Sequence, residues 1–198
     1  MSYDVRGTVA DGFEGVREEF AAFVAAEAHD PGAQLAAYVG GRQVVDLWAG
    51  KDISGSSLTT HSRTVRVLGP ASSGGVGNAR GVARMYAAAI GTVDGRPPLL
   101  TPATVAAFAG PRTPGTDLVT GQPDHFGLGF ESLTRLYPFL GTDTIGHSGA
   151  TGSLGFADPG SGVAYAYTRR RFAFPSGEGA SPENGRLAES VVRAARAA

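Results

Sequence analysis

The chain has 198 residues, 42% of them hydrophobic and 18% charged, a composition that fits one soluble domain with a core of its own. A formal net charge of −1 offers no field to attract nucleic acid or an anionic membrane, so neither is expected as a partner. Cysteine is absent, which excludes disulfides, thiolate chemistry and cysteine-based metal sites.

Phe13, Val16, Phe20, Phe23 and Val24 recur at helical spacing, so Gly12 to Ala28 reads as an amphipathic helix, with Asp11 placed to cap it. Asp30-Pro31-Gly32 ends it. Two β-type runs follow, Ala33–Val39 and Arg42–Ala49, joined by Gly40-Gly41, a pair that supplies the positive φ angles of a two-residue hairpin turn. From Gly50 to Gly77 periodicity fails, serine and glycine cluster, and irregular structure is expected. Asn78 then caps a helix whose face carries Ala79, Val82, Ala83, Tyr86, Ala89 and Ile90. Thr101-Pro102 opens a shorter helix that ends near Gly110-Pro111.

The last third reads as strands Phe126–Ser132, Thr142–Gly146, Ser153–Asp158 and Gly162–Arg169, with a hairpin loop at Asp158–Gly162. Arg169-Arg170-Arg171 reads as the solvated end of a strand. Ser181-Pro182 starts a final helix with Leu187, Ala188, Val191, Val192 and Ala195 on one face. The expected class is α+β, an antiparallel sheet flanked by N- and C-terminal helices in a single domain over 1–198.

Three stretches in shared order carry a family resemblance. The first is Gly12-Phe13-Glu14-Gly15-Val16-Arg17 with Gly41–Gly50. The second is Ser73-Gly74-Gly75-Val76-Gly77-Asn78-Ala79-Arg80-Gly81-Val82-Ala83-Arg84-Met85-Tyr86. The third is Phe126-Gly127-Leu128-Gly129-Phe130 with Gly146-His147-Ser148-Gly149-Ala150-Thr151-Gly152-Ser153. Together they resemble the β-lactamase-related serine hydrolases, the group of class C β-lactamases, esterases and D-amino-acid peptidases. The resemblance implies the α/β half of that fold, with hydrolysis of esters or amides as the activity class. It also implies that the family's helical domain is missing, its place taken by roughly residues 51–70.

The family's chemistry needs a serine nucleophile with a lysine three residues on, because i and i+3 face one another across a helical turn, and a tyrosine that assists. This chain has one lysine, Lys51, and Trp48 stands three residues before it, so no Ser-x-x-Lys exists. None of the six tyrosines is followed two residues on by asparagine or serine. No catalytic residue is therefore identifiable, and an impaired or inactive hydrolase is expected. A non-catalytic binding or interaction domain, or a gene remnant, are the alternatives.

What the resemblance leaves is the third motif, a strand that lines the substrate cleft, onto which His147, Ser148, Gly149 and the Ala150 N–H map as a substrate-binding and oxyanion remnant. Adjacent residues on a strand point to opposite faces, so His147 and Ser148 are not expected to pair as base and nucleophile. A small ester or amide is the expected ligand. His29, His61, His125 and His147 show no ligand-like spacing, so neither a metal nor a cofactor is expected. Met1 to Gly12 is polar, and no stretch approaches the roughly 18 apolar residues of a membrane span, so a cytoplasmic location is expected. Loss of a packing partner would leave apolar surface around Val65, Val67, Leu68 and 126–130, so self-association is expected as well.

Overall fold

The computed structural model describes residues 4–27, 31–51, 65–66, 76–110, 115–116, 121, 123–124, 126–149, 152–170 and 182–198. The chain opens with β1 (Arg6–Val9) and α1 (Glu14–Ala26), then the hairpin β2 (Gly32–Val39) and β3 (Arg42–Gly50). A short pair, β4 (Val65–Arg66) and β5 (Val76–Gly77), precedes α2 (Ala79–Ile90) and α3 (Pro102–Ala109). A second short pair, β6 (Gly115–Thr116) and β7 (Pro123–Asp124), leads to β8 (Ile145–Ser148), β9 (Leu154–Asp158), β10 (Val163–Arg169) and α4 (Pro182–Ala197). Six strands form one sheet in the order β1-β3-β2-β10-β9-β8, every neighbouring pair antiparallel.

Both faces of this sheet are covered, which is why β2 and β10 are buried along almost their whole length. Alternation sorts their side chains by size. Leu35, Val163, Tyr165 and Tyr167 face α1 and α4, where Val16, Phe20, Phe23, Leu187 and Val191 complete a core of large residues. Ala36, Ala164 and Ala166 face the other way, onto Ala79, Ala83, Tyr86 and Ala87 of α2. Small residues on both partners let α2 lie close to the sheet, and a Cβ on Gly155 would meet the Tyr86 ring at 2.9 Å. A bulge at Ala37/Tyr38 breaks the alternation in β3, so that Val44 and Val45 both enter the core beneath α1 and α4.

The Gly40-Gly41 turn has φ +55° and +79°, as the hairpin expectation requires. Asn78 Oδ1 accepts from the Gly81 N–H at 2.8 Å, and Thr101 Oγ1 accepts from the Thr104 N–H at 3.2 Å, so both expected caps are present. Asp11 does not cap α1. The chain turns between Ala10 and Phe13 with Gly12 at φ +86°, the N-cap is Phe13, and the Glu14 carboxylate accepts from the Gly12 N–H.

The segment 126–132 is not a strand. Gly127 N–H donates to the Phe130 carbonyl and Gly129 takes φ +79°, so the run folds into a tight loop with isolated bridges at Phe126 and Glu131. The expected strand at Thr142–Gly146 begins later, because Thr144 closes a turn by bonding the Gly141 carbonyl through both N–H and Oγ1. Arg169 is not solvated either. Its side chain is 9% exposed, paired with Glu27 and set 5.6 Å from the Phe23 ring centroid. Most of 51–70, including Val67 and Leu68, and also Arg171, lie outside the described residues. Among the described residues no helix is long and apolar enough to cross a membrane.

Candidate functional site

The site expected from sequence lies at one edge of the sheet. Among the described strands β8 pairs with β9 alone, Gly146 opposite Phe156 and Ser148 opposite Leu154, and an isolated bridge joins Gly146 to Glu131 on its other side. The hairpin beyond it closes through Gly149 N–H to the Ser153 carbonyl at 2.8 Å and Gly152 N–H to the Gly149 carbonyl at 2.9 Å. Helix α4 fastens this turn, since the buried Asn184 donates from Nδ2 to the Gly152 carbonyl at 2.8 Å. Gly146 is required here, because a Cβ would sit 2.4 Å from the Gly155 carbonyl oxygen and 2.7 Å from Leu133 Cδ1.

Two residues that the sequence reading left out complete the arrangement. Glu131, with a side chain only 12% exposed, lies along the outer side of β8. Its N–H donates to the Gly146 carbonyl at 2.8 Å, and its Oε2 accepts from the Ser148 N–H at 2.8 Å. The same oxygen is 3.4 Å from His147 Nδ1. Tyr137 follows the 3-10 turn Leu133–Arg135 and places its hydroxyl 3.3 Å from Ser148 Oγ.

His147 and Ser148 diverge as strand geometry demands. The imidazole is 57% exposed, with its ring 5.7 Å from that of Phe126, whereas Ser148 Oγ turns to Tyr137. Burial pushes the Tyr137 phenol up to about 12; the Ser148 hydrogen bond opposes that rise and the Glu131 charge adds to it. At neutral pH the partner of Ser148 Oγ is therefore a protonated phenol, which takes no proton from a serine. Glu131 beside Nδ1 sets which imidazole nitrogen faces the carboxylate and leaves Nε2 as the other.

Lysine chemistry is far from this edge. Lys51 follows β3 directly, and four strand-to-strand steps of about 4.8 Å separate β3 from β8, roughly 19 Å in all. The structure thus brings His147, Ser148 and Gly149 together with Glu131, Tyr137 and Phe126, while Ala150 lies outside the described residues.

Comparisons with known proteins bear on the family and the fold. A family model described as Beta-lactamase matches residues 52–188. Among solved structures, EstA from Arthrobacter nitroguajacolicus Rue61a superposes with a TM-score of 0.75 at 19% identity, covering 100% of this chain and 99% of that one. A penicillin-binding protein homologue from Caulobacter crescentus gives 0.76 at 17% identity, covering 96% of this chain and 100% of that one. A family VIII carboxylesterase gives 0.74 at 16% identity, with coverage of 96% and 100%. A search among curated proteins returned no significant match. The helix and hairpin before residue 51 fall outside the family match and are related to these structures through the fold. With more than half of the sequence matched and the sheet-and-helix half of the fold in place, the chain belongs to the β-lactamase-related serine hydrolase family.

Proposed function

We propose that this chain is a family member that does not acylate, and that it keeps the β8 edge as a binding surface for a small ester or amide. In this reading the helical domain's place is taken by roughly residues 51–70, and the nucleophile segment is lost with it. The observation that carries the proposal is the isolation of Ser148: its hydroxyl faces a phenol raised to about 12, and the one lysine of the chain begins four strands away. A serine attacks an acyl carbon only when a base within hydrogen-bond reach removes its proton, and no described group does so here. His147, Ser148, Gly149 and Ala150 act in binding, beside the exposed ring of Phe126, 5.7 Å from that of His147.

Steady-state hydrolysis of p-nitrophenyl acetate and of a chromogenic β-lactam tests this. The wild-type chain and Ser148→Ala are expected to match, both at the rate of buffer with an inert protein. Saturable turnover that Ser148→Ala abolishes would overturn the proposal.

A further inference from the structure

We infer that Glu131 is a selector of ligand charge: its carboxylate occupies the open edge of β8, so that the edge takes neutral amides and turns away carboxylates. The inference rests on the reading of β8 as a ligand-binding edge and names the class of ligand it admits.

A strand at a sheet edge presents alternate residues outward. In β8 the outward backbone groups are those of Gly146 and Ser148, since Glu131 reaches both of them. One residue answers the Gly146 carbonyl through its own N–H and the Ser148 N–H through its side chain, each at 2.8 Å. Glu131 thus stands where an extended ligand would pair with the strand, and it does so with a negative charge that is 12% exposed. An incoming carboxylate seeking the Ser148 N–H or His147 would meet this anion at close range, where screening by water is weak. A neutral amide meets no such repulsion. An amide NH2 can donate one N–H to the carboxylate of Glu131 and the other to His147 Nε2, the acceptor nitrogen when Nδ1–H faces Glu131, and its apolar part can lie on the Phe126 ring, 5.7 Å from that of His147. Discrimination then comes from a repulsive element built into the site together with an attractive one.

Benzamide and benzoate share a ring and differ in charge, which makes them suitable probes. Each is titrated into 15N-labelled wild-type protein while the amide signals of residues 146–149 are followed. Benzamide is expected to shift these signals, and benzoate to need a concentration about tenfold higher or more, the scale of a like-charge contact. Glu131→Gln removes the charge and is expected to bring the two probes to within about threefold of each other. Glu131→Asp keeps the charge but withdraws it from the Ser148 N–H, and is expected to keep rejecting benzoate. Signals of residues 163–169, remote from the edge, report in each variant that the sheet is intact. Equal binding of both probes to the wild type, or discrimination that survives Glu131→Gln, overturns the selector. If neither probe moves 146–149 in any of the three proteins, β8 is not a ligand edge, and the proposed binding function falls together with the selector.

Discussion

Tyr86 and Tyr137 show how burial can set the chemistry of a side chain, as the sole cause in Tyr86 and the largest of three in Tyr137. Both phenols are pushed up to about 12 by desolvation. A phenol ordinarily titrates near 10, and its charged form is the deprotonated one. Below about pH 10 the folded and unfolded chains both keep these protons, so the stability they contribute is complete; between about 10 and 12 only the unfolded chain releases them, and stability falls. Tyr165, fully buried with its phenol raised further by burial and by its tyrosine neighbours, acts in the same direction. Thermal melts followed by circular dichroism should hold a constant midpoint from neutral pH to about pH 10 and drop steeply above it. Tyr137→Phe should make that drop shallower. A flat midpoint through pH 12 would place these phenols outside the core.

At the same scale, His147, Ser148 and Gly149 were readable from the sequence because they lie together in one motif. Glu131 and Tyr137 were not. They sit 17 and 11 residues before Ser148, on a connection that folds back along the strand. Glu131 follows the apolar run Phe126–Phe130, and the run suggested a strand in its own right. The two glycines in it, Gly127 and Gly129, were the available sign of a loop.

Among the elements, helix α2 owes its position to its N-terminus as much as to its alanine face. Asn78 Oδ1 accepts from Gly81, while the buried Gln34 of β2 accepts from the Ala79 N–H at 3.2 Å, so two of the helix's first N–H groups are answered, one of them from the sheet. Arg80 adds an ion pair to Asp46 of β3. Asn78→Ala should cost about 1 kcal/mol in urea unfolding, and Asn78→Ser much less, because serine retains an acceptor at the same place. Equal losses in the two variants would show that the cap contributes little beside packing. The contrast with α1 is instructive. Asn78 is adjacent to the first helical residue and caps it, whereas Asp11 is separated from Glu14 by a turn built on Gly12, which composition alone did not reveal. Strand β1 escaped notice for another reason: four residues with alternating partial exposure carry too little apolar signal to stand out.

For the molecule as a whole, the two hairpins were legible, β2–β3 from its paired glycines and β9–β10 from Asp158–Gly162. The order of the strands was not. Register between β2 and β10, 124 residues apart at Val39 and Val163, is set by the fit of alternating large and small side chains under α1, α4 and α2. That long pairing joins the N-terminal hairpin to the C-terminal strands and closes the core. Two other features bear on association. Glu131 answers the outward groups of Gly146 and Ser148, which blunts the β8 edge. Phe126 and Leu128 stay 42% and 47% exposed beside it, and a net charge of −1 opposes contact only weakly. Association is therefore expected through side chains: light scattering at micromolar concentration should show species larger than a monomer, and Phe126→Ser with Leu128→Ser should reduce them. An unchanged distribution in that double variant would move the contact elsewhere.

Whether this β-lactamase-related chain binds without acylating is read most directly from intact-protein mass after incubation with a fluorophosphonate probe. The expected spectrum holds only the unmodified mass, in the wild type and in Ser148→Ala alike. A stoichiometric adduct on one serine would contradict it.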